Sequence, residues 1–129
     1  MSRKSLLLAL LTLLIIITTV TPVGAASKES TFQLLTKSEE RSLTITVNAV
    51  DLNDTYAYEL LLQYDQRYLK LVSAKSEWSG YTVNPIIEEN KVRLAHTKIG
   101  NVKGVNGNSK LASFTFERIR LGETAVTLA

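Results

Sequence analysis

The 129-residue sequence contains no cysteine, one histidine and two prolines. Without cysteine the chain can form neither a disulfide nor a thiolate zinc site, and it has no cysteine nucleophile. The single histidine, His96, falls in a predicted strand, where a lone histidine is more often an interface or partly buried residue than a catalytic one. We therefore assign no catalytic residue, no metal site and no cofactor.

The N-terminal segment predicts export. Arg3 and Lys4 make its start basic, Leu6–Val20 is apolar, and small residues follow up to Ala26. This order is typical of a secretory signal peptide, and the apolar run is shorter than the roughly 20 residues that span a bilayer. We expect a signal peptide helix in residues 1–26 and one domain in residues 27–129. The domain would be secreted, extracellular or attached to the cell surface, without a membrane segment after cleavage.

The charge of the exported chain excludes one class of partner. The sequence has 15 basic and 12 acidic residues, and the signal peptide removes Arg3, Lys4 and no acid, which leaves a net charge of +1. A nucleic-acid-binding domain needs a concentrated basic surface, and none is evident. An exported domain without disulfides is more typical of a bacterial protein than of a small eukaryotic secreted one.

The exported chain has the pattern of an antiparallel β-sandwich. Leu43–Val50 alternates apolar and polar residues and is rich in β-branched side chains, which predicts a strand. Turn signals recur about every ten residues, as in sandwich folds. Further strands are predicted at Thr31–Thr36, Lys91–Thr97, Leu111–Ile119 and Ala125–Leu128, and an interrupted edge strand at Thr82–Ile87, which contains Pro85. Turns or loops are predicted at Asp51–Asp54 and Ile99–Lys110.

The segment AYELLLQYDQRYLKLVSAK, Ala57–Lys75, is locally ambiguous. Its apolar residues fit helical spacing, but Tyr58, Leu60, Leu62 and Tyr64 also alternate as in a strand. A start signal for a helix is weak, whereas Asp65–Arg67 can form a turn. We therefore predict two strands joined at Asp65–Arg67.

Two stretches resemble the cohesin domain, the receptor module of bacterial cellulosome scaffolds. They are LTITVNAVDLNDTYAYELLLQYDQRYLKLVSAK and KLASFTFERIRLGETAVTL, and they contain a strand ending in Tyr64-Asp65, an L-A-x-F-x-F strand and a final G-x-T-x-V-T-L. The resemblance runs from Leu43 to Leu128. It implies a flattened jelly-roll, or immunoglobulin-like, β-sandwich that is not an enzyme. It also implies that the module binds dockerins, the calcium-loaded helical modules of polysaccharide-degrading enzymes.

The resemblance also implies a binding face. In the family, dockerin contacts outward residues of the strands that match Ala57–Tyr64 and Val92–Thr97. The corresponding partner-binding residues in this sequence are Ala57, Glu59, Leu61, Gln63, Arg93, Ala95, His96, Thr97 and Lys98. Ala57 and Glu59 stand where many cohesins have Asn and Asp. The family also continues past the position of Ala129 into a strand that pairs with the first one, so an open edge is expected at Thr31–Thr36.

A carbohydrate-binding or adhesion module is the alternative. Trp78 and Tyr81 could stack on the sugar rings of an extracellular polysaccharide, because aromatic rings offer an apolar face with a polar rim. The simpler interpretation, which the large area buried by an aromatic side chain favours, is that Trp78 covers one end of a small core. Other motifs have simpler explanations: Glu88 and Glu89 are adjacent on a turn, where carboxylates point apart, and the glycine-rich loop lacks the setting of a phosphate site.

Overall fold

The computed structural model describes residues Ser30–Ala129, which form nine β-strands and no helix. The predicted signal peptide helix, Met1–Ala26, lies outside the described residues. The strands are β1 (Thr31–Ser38), β2 (Ser42–Thr55), β3 (Ala57–Gln63), β4 (Leu69–Ser76), β5 (Tyr81–Thr82), β6 (Ile86–Glu88), β7 (Lys91–Thr97), β8 (Val105–Arg118) and β9 (Thr127–Leu128). Across these hundred positions the fold contains no helix that could cross a membrane.

The strands form two antiparallel sheets. The four-stranded sheet has the order β1-β2-β8-β4, and the five-stranded sheet has the order β5-β7-β3-β9 with β6 also paired to β7. Every pairing within the two sheets is antiparallel. The predicted all-β antiparallel sandwich is thus confirmed for the described residues.

The core lies between the sheets and is built by the alternation seen in the sequence. In β2 the four apolar residues Leu43, Ile45, Val47 and Ala49 are all buried, while Thr44 and Thr46 are half-buried on the other side. This is the expected result when one face of a strand packs on a core and its period is two. The other sheet contributes Leu60, Leu62, Val92 and Leu94, and β8 contributes Ala112, Phe114 and Phe116.

The Ala57–Lys75 segment forms two strands, β3 and β4, as predicted. The turn between them is held by Asp65, whose carbonyl oxygen accepts hydrogen bonds from Tyr68 N (3.1 Å) and Leu69 N (3.0 Å). The Asp65 carboxylate accepts a further bond from Arg67 N (2.9 Å), which is the usual way in which an aspartate closes a turn. Hydrogen bonds from the Arg67 side chain, and then from its backbone N–H, lower the pKa of Asp65 below its ordinary value.

The predicted turn at Asp51–Asp54 and the second half of the predicted loop Ile99–Lys110 are wrong, whereas residues 99–104 do form a loop. Asp51–Asp54 belongs to the second half of β2, and Val105–Lys110 belongs to β8. The two stretches pair with register shifts, and Asp51 and Asp54 have φ angles of 59° and 46°. Asparagine side chains of β8 replace the regular ladder there, because Asn108 Oδ1 accepts from Asp51 N (3.2 Å) and Asn106 Oδ1 accepts from Asp54 N (2.8 Å). The turn-forming residues therefore make bulges within a long hairpin rather than ends of strands.

A bulge also explains why Leu111 and Ala112 are both buried. Val47 pairs with Ala112 and Asn48 with Lys110, so that Leu111 is the extra residue on β8. Strict alternation, which would place Leu111 on the face opposite Ala112, fails at this point. Leu111 is only 1% exposed, since the bulge turns it back toward the core.

The remaining strands follow the prediction closely. Pro85 separates the short strands β5 and β6, which both pair with β7, and β7 has the predicted bounds. The first strand extends to Ser38, and the last is confined to Thr127–Leu128. Within Ser30–Ala129, β1 is an edge strand that pairs with β2 alone, because β9 joins the other sheet beside β3.

Candidate functional site

The outward side of the five-stranded sheet combines exposed apolar residues with an ion pair. Along β3, Leu60 and Leu62 point into the core, which turns Ala57, Glu59, Leu61 and Gln63 outward. Along β7, Val92, Leu94 and His96 are buried, while Arg93, Ala95 and Thr97 face outward. We call these seven outward residues, together with Tyr81, Val83 and Ile86, the β3–β7 face.

Strand register arranges the β3–β7 face in rows. Thr97 pairs with Ala57 on one side and with Tyr81 on the other. The next row contains Ala95 and Glu59. Val83 lies on the other side of Ala95, because its N–H donates to the Ala95 carbonyl oxygen (3.0 Å). The third row contains Ile86, Arg93 and Leu61. The rows bring residues from three separate parts of the sequence into one surface.

A shallow hollow of about 370 Å³ lies at the end of this face where β7 stops. Its lining is mostly apolar and includes Tyr81, Val83, Ala95 and Ala57. Tyr81 is 59% exposed and Val83 is 42% exposed, so both side chains are accessible. Exposed aromatic and aliphatic side chains around a concave surface are typical of the centre of a protein interface.

An ion pair crosses the middle of the β3–β7 face. Arg93 Nε lies 3.1 Å from Glu59 Oε1, and both side chains are more than half exposed. The two residues are diagonal neighbours, because Glu59 pairs with Ala95 and Arg93 pairs with Leu61. Such an exposed pair contributes only about 0–1 kcal/mol to stability. Its main effect is to make the centre of the face electrically neutral.

His96 does not belong to the exposed surface. The residue is 3% exposed, and its ring points between the sheets. Its Nδ1 lies 2.7 Å from Thr82 Oγ1, and its Nε2 lies 3.1 Å from the carbonyl oxygen of Ser79. Because a carbonyl oxygen can only accept, Nε2 carries the proton and Nδ1 accepts from Thr82. The expectation that His96 contacts a partner directly is incompatible with this burial, and the residue instead anchors the chain before β5.

The two residues after His96 diverge. Thr97 lies in the outer row, and its hydroxyl donates to the Lys98 carbonyl oxygen (3.0 Å). Lys98 extends over the Trp78 ring, with Nζ 5.9 Å from the ring centroid. Lys98 is therefore at the rim of the β3–β7 face rather than within it.

Trp78 and Tyr81, the candidate sugar-stacking pair, do not share a surface. Trp78 packs edge-on against Tyr58 with ring centroids 5.0 Å apart, and its Nε1 donates to Ser109 Oγ (3.0 Å). Tyr58 points inward opposite His96, whereas Tyr81 points outward beside Thr97. The structure therefore places Trp78 at one end of the core, in agreement with the simpler interpretation of this residue.

Sequence reasoning missed Val83 and Ile86. Both lie in the interrupted segment around Pro85, where alternation is too short to reveal which side faces outward. Tyr81 was singled out for its aromatic ring, but its neighbours on β7 depend on strand pairing. Among residues 30–129, no group of three or more His, Asp or Glu side chains could hold a metal ion.

Comparisons with known proteins identify the fold. No family model matches the sequence, and no curated protein matches it either. Among solved structures, a cohesin module from a Clostridium perfringens family 33 glycoside hydrolase aligns with a TM-score of 0.64 and 17% identity. That alignment covers 79% of this chain and 80% of the other.

Two structures from Acetivibrio cellulolyticus are also similar. The second type II cohesin module of the adaptor ScaA scaffoldin has a TM-score of 0.62 at 14% identity, covering 79% of this chain and 72% of that one. The second structure is an interface mutant of a type II cohesin–X–dockerin complex, with a TM-score of 0.58 at 13% identity and coverage of 78% and 77%. The described residues thus have a cohesin-like fold.

Proposed function

We propose that the chain is a secreted, non-catalytic binding module that docks a dockerin-type protein through the β3–β7 face. The proposal rests on the apolar hollow of Tyr81, Val83, Ala95 and Ala57, which lies beside a neutral ion pair on an open sheet. It is supported by a fold shared with solved cohesins, one of which was crystallised as a cohesin–dockerin complex. The proposed setting is extracellular polysaccharide degradation.

The face favours a partner with an apolar protrusion. Glu59 and Arg93 already neutralise each other at 3.1 Å, so that the partner need not supply a matching charge at the centre. A partner side chain entering the hollow would displace water from Val83 and Tyr81, which are 42% and 59% exposed. Burial of such area is the main favourable contribution to association. Leu61, Gln63, Thr97 and Lys98 would contact the partner around this centre.

A matched pair of lysine variants tests the face. Val83→Lys places a charge in the hollow and should weaken dockerin binding at least tenfold, because a buried unpaired charge is costly. Val72→Lys is the control, since Val72 is 62% exposed on β4 in the other sheet. Binding would be measured by calorimetry against dockerin modules encoded in the same genome. Absence of binding to every dockerin by the folded wild type, or equal effects of both variants, would refute the proposal.

Carbohydrate binding remains a second candidate because the Tyr81 ring is exposed. On this hypothesis Tyr81→Ala should release the chain from an insoluble polysaccharide, while the fold stays intact. Trp78→Ala tests whether Trp78 also contributes to sugar binding. Because Trp78 packs against the core, a loss of retention in this variant has to be distinguished from a loss of stability. Unchanged retention in Tyr81→Ala would exclude the candidate.

A further inference from the structure

Asn106 is the one asparagine, among the seven in the sequence, that is followed by glycine. Asn106 and Gly107 are both exposed, and Gly107 has a φ angle of +80° with open space where a Cβ would stand. Glycine places no side chain beside its own backbone nitrogen, so that this nitrogen is the least hindered of all toward the preceding side chain. The Asn106 carboxamide is therefore more open to attack by the next backbone nitrogen than the other six.

The pairing of β2 with β8 is interrupted around these two residues. Gly107 pairs with Leu52, and the register shifts on both sides of that pair. Asn106 itself has no directly opposed residue in β2. Interrupted pairing leaves fewer ladder hydrogen bonds to hold the backbone, so a local opening that brings Gly107 N to the Asn106 carboxamide does not require the core to open.

A backbone donor from β2 activates the carboxamide. Asp54 N donates to Asn106 Oδ1 at 2.8 Å, and because a backbone N–H can only donate, the side-chain oxygen is the atom that faces it. When a nucleophile adds to Cγ, negative charge develops on Oδ1, and a donor already in place stabilises that charge. The Asp54 carboxylate is engaged elsewhere, since its Oδ1 accepts from Gly104 N at 3.2 Å.

We propose that Asn106 is a site of spontaneous deamidation in the folded protein, with water as the co-reactant. Gly107 N gives its proton to solvent and bonds to Asn106 Cγ. The Cγ–Nδ2 bond breaks, and Nδ2 takes up a proton and leaves as ammonia, which closes a succinimide ring. Water then adds to one ring carbonyl and breaks its bond to the Gly107 nitrogen. Opening at Cγ gives aspartate, and opening at the main-chain carbonyl gives isoaspartate, in which the chain runs through Cγ.

The two products affect the fold differently. Aspartate keeps the backbone and can still accept from Asp54 N, so that it adds only a negative charge. Isoaspartate adds a methylene group to the main chain of β8, which moves the Leu52–Gly107 pair out of register. Because register shifts already border this pair, the change should loosen the end of the β2–β8 pairing while the regular part of the ladder persists.

Incubation of the folded protein in water enriched in heavy oxygen tests the proposal. The protein obtained by expressing all 129 residues is kept at mildly alkaline pH, digested, and analysed by mass spectrometry with fragmentation that distinguishes aspartate from isoaspartate. Heavy oxygen marks conversion during the incubation rather than during digestion. Asn106 should convert at least about tenfold faster than Asn108, a difference of about 1.4 kcal/mol in activation free energy. The rate should rise with pH, because the attacking nitrogen must lose a proton.

Two comparisons make the result specific. Asn108 is the internal control, because it is exposed on the same strand and also accepts from a backbone N–H of β2, but it is followed by Ser109. Asn106→Gln should remove the conversion at position 106 and leave the rate at Asn108 unchanged, because the longer side chain cannot form the succinimide. An Asn106 that converts no faster than Asn108 overturns the proposal. It is equally overturned if Asn106 converts in the urea-unfolded chain but not in the folded protein.

Discussion

Tyr58 of β3 donates its phenolic O–H to the carbonyl oxygen of Leu111 in β8, across 2.5 Å, and so links the two sheets through the interior. The phenolic oxygen lies 2.5 Å from Ser76 Oγ, which in turn accepts from Trp78 N at 3.1 Å. Leu111 is the bulged residue of β8, and its carbonyl oxygen also accepts from Glu77 N at 2.8 Å. One irregular position in a strand thus organises the end of the core beneath the β3–β7 face.

Removal of this hydroxyl should lower the stability of the domain measurably. Tyr58→Phe keeps the ring and its edge-on packing against Trp78, but it leaves Leu111 O with fewer donors. We expect a loss of about 0.5–1.5 kcal/mol in the free energy of unfolding, the usual range for one hydrogen bond. Urea denaturation measures the difference. Tyr81→Phe, on the exposed face, should change stability by less than about 0.5 kcal/mol, and a comparable loss in both variants would contradict the assignment.

Stability should also fall in alkali because of Tyr58. Burial raises the pKa of this phenol above its ordinary value of 10.0. The folded state therefore holds the proton more tightly than the unfolded state, and the contribution is complete below pH 10 and is lost as the pH rises through the folded-state pKa. Unfolding curves at several pH values above 9 test this. The quantity to compare is the difference in the free energy of unfolding between wild type and Tyr58→Phe. This difference should narrow as the pH rises, because the variant lacks the phenol.

Gly80 is expected to tolerate no side chain. Its φ angle is +131°, and an added Cβ would collide with the carbonyl oxygen of Thr97 and lie 2.9 Å from Lys98 Cα. Gly80→Ala should thus displace the end of β7 and the loop that accepts a hydrogen bond from His96. Gly107→Ala is the control, since Gly107 has a φ of +80° but open space around it.

The control should lose about 1–2 kcal/mol through backbone strain alone, and Gly80→Ala should lose distinctly more. Thermal unfolding of both variants gives the comparison. Equal losses of stability in Gly80→Ala and Gly107→Ala would mean that the close approach of the Thr97 carbonyl oxygen does not prevent a side chain at position 80.

The Glu59–Arg93 pair should contribute little to stability. Both side chains are more than half exposed, so a double-mutant cycle with Glu59→Gln and Arg93→Gln should give a coupling of about 0.2–1 kcal/mol. The coupling should disappear near 1 M salt, where the screening length is only about 3 Å. A larger coupling that survives high salt would show that the pair is more shielded from solvent than its exposure indicates.

Much of the β3–β7 face follows from local alternation. The period of two in Ala57–Gln63 and Lys91–Thr97 correctly assigned Glu59, Leu61, Arg93 and Ala95 to the outward side. His96 has the same parity as Val92 and Leu94, so the pattern already placed it inside. The resemblance to cohesins added it to the contact residues, and the buried hydrogen bonds to Thr82 and Ser79 exclude it from the exposed surface.

The sequence by itself determined the all-β class and which side of each regular strand is apolar, because side-chain alternation is a property of neighbouring residues. Only the tertiary structure decided which strands meet, where bulges interrupt them and in which order they lie in each sheet. Asp51–Asp54 illustrates the difference: its residues favour a turn locally, but pairing with Asn106 and Asn108, far along the chain, retains them in β2. The Glu59–Arg93 pair and, within Ser30–Ala129, the position of β1 at a sheet edge likewise depend on register and sheet order, which are set by contacts between residues distant in sequence.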